Sequence, residues 1–361
     1  MSTLAENAVK NCLRIGPDDN VSIFCYPHTL PLAEDLAIEC FKVGADALLD
    51  LYTDRYHVAY MKHLAVEQLR KPSAFCRGLS ELSTAVFWAG SLYDPSNFRK
   101  FTPEKMAAND EAETAAHLPM RERKVRSLSL GISLVTRPRA KVYGFNFAAW
   151  ERMVRAASSV PSKTLTTTGQ KLAGILGTAD TLHVTSEGGT DLTVSVRGRQ
   201  PMIYDGVVDE EDIAAGVFEA SIPSGSVTVL PDPASAEGTV AFDTSQAWAG
   251  RSVRKLSWEF RKGRLTGFEG DASAAVLKKQ YDLASGDKDR IASVSIGTNP
   301  KAQVGFLQNS IVRGAVSIGL GGSEFFGGPN KSSFGFESTI RAATLEADGK
   351  EIVRGGKLLF A

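Results

Sequence analysis

The segment NVSIFCYPHTLPLAEDLAIECFKVGADALLDLYT (residues 20–53) indicates the architecture of the first half of this chain. It begins with a buried strand, NVSIFCYP (20–27), and continues into an amphipathic helix, TLPLAEDLAIECFKVGAD (29–46). Gly44 lies at the end of the helix, where a glycine adopts a left-handed cap at little cost. A second strand, ALLDLYT (47–53), follows. A strand, a helix and a strand within about 35 residues predict a βαβ unit, and therefore a parallel sheet.

The remainder of the first half continues this alternation. STAVFWAG (83–90) and SLSLGISLVT (127–136) predict two further strands. PEKMAANDEAETAAHLPMRERKV (103–125), FAAWERMVRAAS (147–158) and TTTGQKLAGILGTA (166–179) predict helices. We therefore expect an N-terminal α/β domain with a parallel sheet over residues 1–180.

The second half has a different residue pattern. TLHVTSEGGTDLTVSVRGR (181–199) predicts two strands around a Gly-Gly turn, and short strands separated by Gly, Pro, Asn and Asp then dominate. One predicted helix, DASAAVLKKQYDLAS (271–285), interrupts them. The pattern predicts a C-terminal, mainly antiparallel β-rich domain over residues 181–361.

The composition limits the class of protein. A chain of 361 residues, 43% of them apolar, is long enough for two packed domains. Lys and Arg together number 41, as do Asp and Glu, so no basic excess favours nucleic acid as a partner. No apolar run is long enough to span a membrane, and the N-terminus lacks the apolar core of a signal peptide. The four cysteines form no Cys-x-x-Cys pair. We expect reduced thiols and a cytoplasmic protein.

An ordered series of motifs carries a family resemblance. The series runs through GGTDLTVSVRGR, IPSGSVTVLPDPASAEGTVAFD, FRKGRLTGFEGDASAAVLKKQYDLA, SVSIGTNPKA, GAVSIGLGG, GGPNKSSFGFES and EADGKEIVRGGKL. Each motif alone is weak, but their order resembles the metal-dependent aminopeptidase family that includes aminopeptidase T and aminopeptidase S. The 2,5-dihydroxypyridine dioxygenases, which are non-haem iron enzymes, share that fold. The resemblance covers the whole chain and implies two domains, a pocket between them and a homodimer.

The resemblance also implies metal ligands at five positions, and this chain departs from the pattern at each of them. The two glutamates, the histidine and the His-x-Asp pair of the family correspond here to Ser226, Ser293, Ser317, Phe334 and Phe336. No histidine follows His183, so a small shift of alignment does not restore the histidine ligands. Serine hydroxyls and phenylalanine rings hold neither a two-metal centre nor a mononuclear iron. The sequence therefore predicts no metal site and no cofactor.

The replacement residues share a chemistry that suggests a different use. Ser226, Ser293 and Ser317 offer small neutral donors and acceptors, whereas Phe334 and Phe336 offer apolar walls and stacking faces. Such a lining suits a flat or partly apolar small molecule. The alternative is drift, in which small or apolar residues fill the space of a lost metal site.

Two carboxylates are the predicted acid–base groups. Glu324 stands between glycines and aromatic rings in GGSEFFGG, and Glu237 follows in SAEG beside the expected site. Glu337, beside Phe336, is a second-rank candidate. The alternative for Glu324 and Glu337 is a solvated loop carboxylate, and for Glu237 a carboxylate that caps a turn. His28, His57 and His63 predict surface or pocket-rim histidines, since their spacing does not suit a metal site.

Three hypotheses about function follow. In the first, a metal-independent enzyme with hydrolase- or lyase-type acid–base chemistry acts on a small aromatic or amide-bearing metabolite in the pocket between the domains. In the second, the protein is a pseudoenzyme or binding protein. In the third, a metallo-aminopeptidase or ring-cleaving dioxygenase uses relocated ligands such as Glu237, Asp243 and Glu324. Retained turnover separates the first from the second, and metal content isolates the third.

Overall fold

The computed structural model describes residues 3–360, which divide into two compact units. The first unit comprises the chain up to Glu151 together with Gly206–Ile222. The second comprises Arg152–Asp205 and the chain from Pro223 onward. The chain therefore leaves the first unit, returns to it for one short segment, and leaves it again.

The helices lie mainly in the first half of the chain, as the sequence predicts. They are α1 (Leu4–Asn7), α2 (Leu30–Lys42), α3 (Asp54–His63), α4 (Val66–Leu69), α5 (Ala74–Leu82), α6 (Pro103–Glu122), α7 (Arg137–Tyr143), α8 (Phe147–Ser158), α9 (Ser162–Leu176), α10 (Glu210–Ala215) and α11 (Ala275–Leu283). Short 3₁₀ turns at Pro27–Thr29, Pro95–Lys100, Gly131–Leu134, Ala272–Ala274, Asn309–Ile311 and Glu324–Phe326, and a π turn at Ala8–Cys12, complete the helical elements of residues 3–360. Within these residues no helix combines the length and apolar character that a membrane crossing requires.

The strands form one parallel sheet in the first unit and antiparallel sheets in the second. They are β1 (Asn20–Cys25), β2 (Asp46–Leu51), β3 (Ala85–Ala89), β4 (Arg126–Leu130), β5 (Thr181–Thr185), β6 (Asp191–Ser195), β7 (Met202–Tyr204), β8 (Glu219–Ile222), β9 (Ser226–Val229), β10 (Glu237–Ala241), β11 (Gln246–Trp248), β12 (Arg251–Val253), β13 (Ser257–Arg261), β14 (Arg264–Glu269), β15 (Ile291–Gly297), β16 (Val316–Gly321), β17 (Gly335–Ile340), β18 (Thr344–Ala347), β19 (Lys350–Arg354) and β20 (Lys357–Leu358).

The parallel sheet has the strand order β2-β1-β3-β4-β8. Strand β1, helix α2 and strand β2 form the predicted βαβ unit. Strands β1 and β2 pair in parallel, from Asn20 opposite Asp46 to Cys25 opposite Leu51. Helix α2 buries Ala33, Leu36, Ala37 and Cys40 against this sheet. These positions recur every three or four residues, so they form one apolar stripe along the helix.

The last strand of the parallel sheet comes from a distant part of the chain. Strand β8 pairs with β4, with Ser127 opposite Glu219. Because β8 joins this sheet, Gly206–Ile222 belongs to the first unit. The predicted boundary near residue 180 falls inside the second unit, which begins at Arg152. Helix α9 also belongs to the second unit, because its buried Leu172 and Leu176 join the apolar core of the antiparallel sheets.

The second unit contains two large antiparallel sheets. One has eight strands in the order β14-β13-β10-β6-β5-β18-β19-β20, the other has five in the order β17-β16-β15-β9-β7, and β11 and β12 form a separate ribbon. One cluster of buried apolar side chains includes residues of both large sheets, such as Trp258 and Phe260 of the first and Ile296 and Ile318 of the second. The predicted fold class, α/β followed by a β-rich region, is confirmed.

Candidate functional site

The two faces of the five-stranded antiparallel sheet differ chemically. Residues directly opposite each other on paired strands share a face, and alternate residues along a strand share a face. One face is therefore apolar and belongs to the buried core of the second unit. It carries Val227, Val229, Val294, Ile296, Val316, Ile318, Leu320, Phe336 and Ile340.

The other face carries a row of hydroxyl side chains across four adjacent strands. Thr228 on β9 lies opposite Ser295 on β15, Ser295 lies opposite Ser317 on β16, and Ser317 lies opposite Thr339 on β17. All four side chains are buried. Two hydrogen bonds join them in pairs, at 2.9 Å between Thr228 Oγ1 and Ser295 Oγ and at 2.8 Å between Ser317 Oγ and Thr339 Oγ1. Each hydroxyl of the row thus has a hydrogen-bond partner, as buried hydroxyls require.

Glu337 stands at one side of this hydroxyl row. It precedes Thr339 by two residues on β17, so it lies on the same face, opposite Gly319 of β16. The Ser295 hydroxyl donates to Glu337 Oε2 at 3.3 Å, and Ser310 also hydrogen-bonds to the carboxylate. Because the Ser295 proton is used in this bond, Thr228 must donate to Ser295. A directed chain of hydrogen bonds therefore runs from Thr228 through Ser295 to Glu337.

The environment of Glu337 changes its acidity. The residue keeps contact with solvent, yet enough protein surrounds its carboxylate for desolvation to raise its pKa above the ordinary value. The hydrogen bonds from Ser295 and Ser310 favour the charged form and oppose this shift, but desolvation dominates. Solvent contact combined with a crowded surrounding is typical of a recessed side chain. Glu337 can therefore exchange protons with water or a small molecule at a pH closer to neutrality than a surface glutamate can.

The structure brings the three predicted serines to the polar face of this sheet. Ser317 is part of the buried hydroxyl row. Ser226 begins β9 opposite Gly297 and is half-buried. Ser293 is also half-buried and pairs with Gly319, the residue that lies opposite Glu337. A side chain on Gly319 would collide with Ser293 Oγ, so this glycine allows the Ser293 hydroxyl to lie over β16, beside the strand of Glu337.

Phe334 and Phe336 are not brought together with the serines. Both rings are buried in the apolar core of the second unit. Phe336 lies on the apolar face, with ring centroids 5.3 Å from Trp248 and 6.2 Å from Trp258, and Phe334 lies 5.4 Å from Tyr281. Their placement gives them a packing role on the far side of the sheet from Ser317.

The two predicted acid–base residues also lie apart from the hydroxyl row. Glu237 is exposed on β10, in the eight-stranded sheet, and its Oε2 accepts a hydrogen bond of 2.8 Å from the backbone N–H of Lys262. That contact matches the turn-capping alternative. Glu324 is half-buried in the 3₁₀ turn after β16. Within residues 3–360 no hydrogen bond joins Glu324 to Ser226, Ser293 or Ser317.

Sequence reasoning missed the partners that define the site around Glu337. The motifs do not identify Ser295, Ser310, Thr228 or Thr339, and they favour Glu324 and Glu237 over Glu337 as acid–base groups. The signal was present in the alternation of SVSIG (293–297) and GFEST (335–339), where every second residue is polar or glycine. Alternation within β17 assigns Phe336 and Glu337 to opposite faces, and pairing with β16 assigns Glu337 to the face of Ser317.

The residues of this face do not fit the metal centre that the resemblance implies. Among residues 3–360 no three His, Cys, Asp or Glu side chains gather in a way that could hold a metal ion. The polar face offers one carboxylate and several neutral hydroxyls, which are poor ligands for zinc or iron. The proposed relocated ligand Asp243 instead accepts a hydrogen bond of 2.7 Å from the backbone N–H of Arg341. Metal independence itself stays a prediction.

Two solved structures match nearly the whole chain. Wild-type AmpT from Thermus thermophilus has a TM-score of 0.77 at 16% identity, over 99% of this chain and 98% of the other. The 2,5-dihydroxypyridine dioxygenase from Pseudomonas putida KT2440 has a TM-score of 0.60 at 16% identity, over 96% and 94%. At this level of identity the likeness shows the fold alone. Comparison with curated proteins gives no match.

The family follows from the sequence profile that this chain matches. The profile of the thermophilic metalloprotease (M29) family matches residues 1–307. The chain therefore belongs to the M29 family, and the resemblance predicted from the ordered motifs is confirmed. The match ends before β16 and β17, the strands that carry Ser317, Phe336 and Glu337.

Proposed function

We propose that this M29-family chain is a metal-independent enzyme that carries out acid–base chemistry on a small amide-bearing or aromatic metabolite. In this proposal Glu337 is the group that transfers the proton. The observation that carries the proposal is the position of Glu337, which reaches solvent, has a raised pKa and receives hydrogen bonds from Ser295 and Ser310.

The raised pKa supports a role in proton transfer. A general acid or base works best when its pKa lies near the working pH, because both protonation states are then accessible during the reaction. In a hydrolysis, Glu337 would take a proton from the attacking water as the hydroxide adds to the carbonyl carbon. It would then return that proton to the leaving nitrogen as the carbon–nitrogen bond breaks. The atoms of water are thereby divided between the acid and the amine.

The hydroxyl row supports a positioning role for its members. Thr228 and Ser295 are buried and form the hydrogen-bond chain that ends at Glu337, so they fix the orientation of its carboxylate. Ser226 and Ser293 are only half-buried on the same face, so their hydroxyls are the ones available to a substrate. Ser293, over Gly319, is the better placed of the two to hydrogen-bond a group that Glu337 protonates.

The substrate class rests on two kinds of support. Neutral hydroxyls beside one carboxylate suit a neutral molecule with a few polar atoms better than a highly charged one. The family is described as metalloproteases, which act on peptide amides, and the dioxygenase of the same fold is named for a dihydroxypyridine. Both names describe planar groups that bear oxygen or nitrogen. A small aryl amide combines these features.

The test is a turnover screen on metal-depleted protein. Metal content is first measured by plasma mass spectrometry on protein purified without a metal-affinity tag. Hydrolysis of an aryl-amide panel is then followed in the presence of a chelator. We expect turnover that the chelator does not affect. In Glu337→Gln we expect the turnover rate to fall by about 10²- to 10⁴-fold. Glu187→Gln, in an exposed turn, is the matched control.

Other outcomes assign the protein differently. Turnover that the chelator removes would support the metal-dependent alternative and overturn the proposal. Binding of an amide without any turnover would indicate a binding protein. The same measurement on Glu324→Gln and Glu237→Gln compares the other predicted carboxylates, and a larger loss in either of them would move the acid–base role away from Glu337.

A further inference from the structure

The parallel sheet of the first unit has a topological switch point. Strands β1 and β3 are neighbours, and the connection after β1 leads to β2 on one side whereas the connection after β3 leads to β4 on the other. In open α/β sheets the loops that follow such strands separate at the carboxyl edge, and small molecules bind in the crevice between them. The segments that follow β1 and β3 are therefore the expected ligand-binding edge of this unit.

These two segments are in close contact and rich in aromatic side chains. Gly90, directly after β3, approaches Tyr26 so closely that a side chain at residue 90 would lie 2.9 Å from the Tyr26 backbone nitrogen and 3.0 Å from its ring. The His28 ring, two residues beyond Tyr26, lies 5.2 Å from the Tyr93 ring in an edge-on arrangement and 6.1 Å from the Tyr26 ring. Thr29 fixes this turn by hydrogen bonds to both backbone groups of Tyr26, each at 3.0 Å.

His28 has one ring nitrogen with a partner and one without. Its Nε2 lies 3.1 Å from the backbone oxygen of Ser133, and because a carbonyl oxygen only accepts, Nε2 carries the proton. Nδ1 is therefore an acceptor. It is buried and has no hydrogen-bond partner among the protein atoms of residues 3–360. Desolvation lowers the pKa of His28, which favours the neutral ring, and the Ser133 carbonyl oxygen selects this tautomer.

The two charged groups that act on the His28 ring are already engaged by the protein. The Arg139 guanidinium donates to the backbone oxygens of Leu92 at 2.6 Å and Leu134 at 3.0 Å. The Asp54 carboxylate accepts from the backbone N–H groups of Tyr93 at 2.8 Å and Asp94 at 3.0 Å, and from Asn97 at 3.0 Å. Neither group is left to bind a charged ligand, so the site favours a neutral one.

From these observations we propose a small-molecule site at the carboxyl edge of the parallel sheet, centred on His28 and built from residues of the first unit. Its ligand is a neutral planar heteroaromatic ring that bears an N–H or O–H group. That group donates to His28 Nδ1, and the ring packs against Tyr26 and Tyr93. Tyr93 is 44% exposed and touches His28 only by its edge, so it can turn aside to admit the ligand.

The experiment compares two probes that differ in one donor. Protein labelled with ¹⁵N in histidine is titrated with 2-pyridone, which has an N–H donor, and with N-methyl-2-pyridone, which does not. We expect 2-pyridone to shift the Nδ1 resonance of His28 and to bind about fivefold more tightly than its methylated analogue, as one net hydrogen bond of about 1 kcal/mol implies. The resonances of His63, which is exposed, should not move.

The variant His28→Gln gives a second test that does not depend on a folding defect. Its side-chain Nε2 can still donate to the Ser133 oxygen, whereas its acceptor Oε1 is one bond further from Cγ than Nδ1 is and so does not occupy the place of Nδ1. We expect an unchanged melting temperature and loss of the fivefold preference. Equal binding of the two probes to the unmodified protein, or no shift of His28 with either, would overturn the proposal. Glu337→Gln should leave the preference intact, so this inference and the proposed function can fail independently.

Discussion

Ser317 and Phe336 lie on adjacent strands of one sheet, and their side chains occupy opposite faces. Ser317 is opposite Thr339 and hydrogen-bonds to it at 2.8 Å, whereas Phe336 is opposite Leu320 and packs in the core beside Trp248. Both residues replace metal ligands that the family resemblance implies. Only the serine faces the hydroxyl row and Glu337, so the two replacements have different physical consequences.

Replacing Phe336 should be much more damaging than changing its neighbour. Phe336→Ser removes a buried ring and leaves a hydroxyl in the core, so we expect the free energy of unfolding to fall by about 4 kcal/mol or more. Gly335→Ser adds the same hydroxyl on the exposed side of β17, where the nearest atom to a new Cβ lies 4.0 Å away, and should change stability by less than about 1 kcal/mol. Urea denaturation measures both. Similar losses in the two variants would contradict the assignment of faces.

Two buried serines of this sheet should respond in opposite directions to alanine. The Ser338 hydroxyl is buried on β17 and has no hydrogen-bond partner within residues 3–360, so Ser338→Ala should stabilise the protein by up to about 1 kcal/mol. Ser317→Ala removes the shorter of the two hydrogen bonds of Thr339 Oγ1 and should lower the free energy of unfolding by about 1 kcal/mol. Thermal unfolding of both variants under one condition checks the contrast. A loss of stability in Ser338→Ala would show that its hydroxyl has a partner.

The acidity of Glu337 should respond to Ser295. The Ser295 hydroxyl stabilises the charged carboxylate, so Ser295→Ala should raise the pKa of Glu337 further above its ordinary value. Titration of the ¹³C-labelled carboxyl by NMR measures this shift. Ser338→Ala, on the same strand as Glu337 but on the other face, is the control and should leave the titration midpoint unchanged.

The raised pKa of Glu219 should make the free energy of unfolding of the first unit depend on pH. Desolvation raises the pKa of this β8 carboxylate from 4.5 to about 7, and the charge of Arg121 opposes the shift only in part. Between these two pH values the folded state keeps a proton that the unfolded state has released. The contribution of Glu219 to the free energy of unfolding is therefore greatest below pH 4.5. It declines as the pH rises through about 7, by no more than about 3 kcal/mol.

The variant Glu219→Gln should remove this contribution. We expect its free energy of unfolding to fall less steeply between pH 4.5 and 7 than that of the unmodified protein. Asp110, whose pKa desolvation also raises to about 7, contributes a slope of the same sign that remains in both proteins. Glu187→Gln, in an exposed turn, is the matched control. Parallel stability curves for Glu219→Gln and the unmodified protein would contradict the raised pKa of Glu219.

The sequence predicted what local patterns determine. Apolar runs and helical periodicity identified the βαβ unit of β1, α2 and β2, and the order of motifs identified the family. The family resemblance also identified Ser226, Ser293 and Ser317. The register of the paired strands puts these three side chains on the same face of the sheet. Phe336 and Glu337 are neighbours in sequence, so their side chains lie on opposite faces of β17. An alignment that does not include strand register cannot decide which of the two residues faces the site.

The contacts that set the chemistry of Glu337 could not be predicted from local patterns. Ser295 lies on another strand, 42 residues earlier in the chain, and Ser310 lies in a short turn between β15 and β16. Their approach to one carboxylate depends on how three segments pack together. The same is true of β8, because nothing in EASI (219–222) indicates that it joins a sheet whose other strands end at Leu130.

The late arrival of β8 has a consequence for synthesis of the protein. A ribosome that has produced the first 151 residues has synthesised four strands of the parallel sheet, but the outermost strand is still about 70 residues away. In the interval it releases α9 and the first strands of the antiparallel sheets, which cannot yet find most of their partners. The nascent chain must therefore hold one sheet with an open edge while it begins another. A chaperone that shields the edge of β4 during translation would act in this interval. A gene cut at residue 180 would encode a first half that lacks the outermost strand of its parallel sheet.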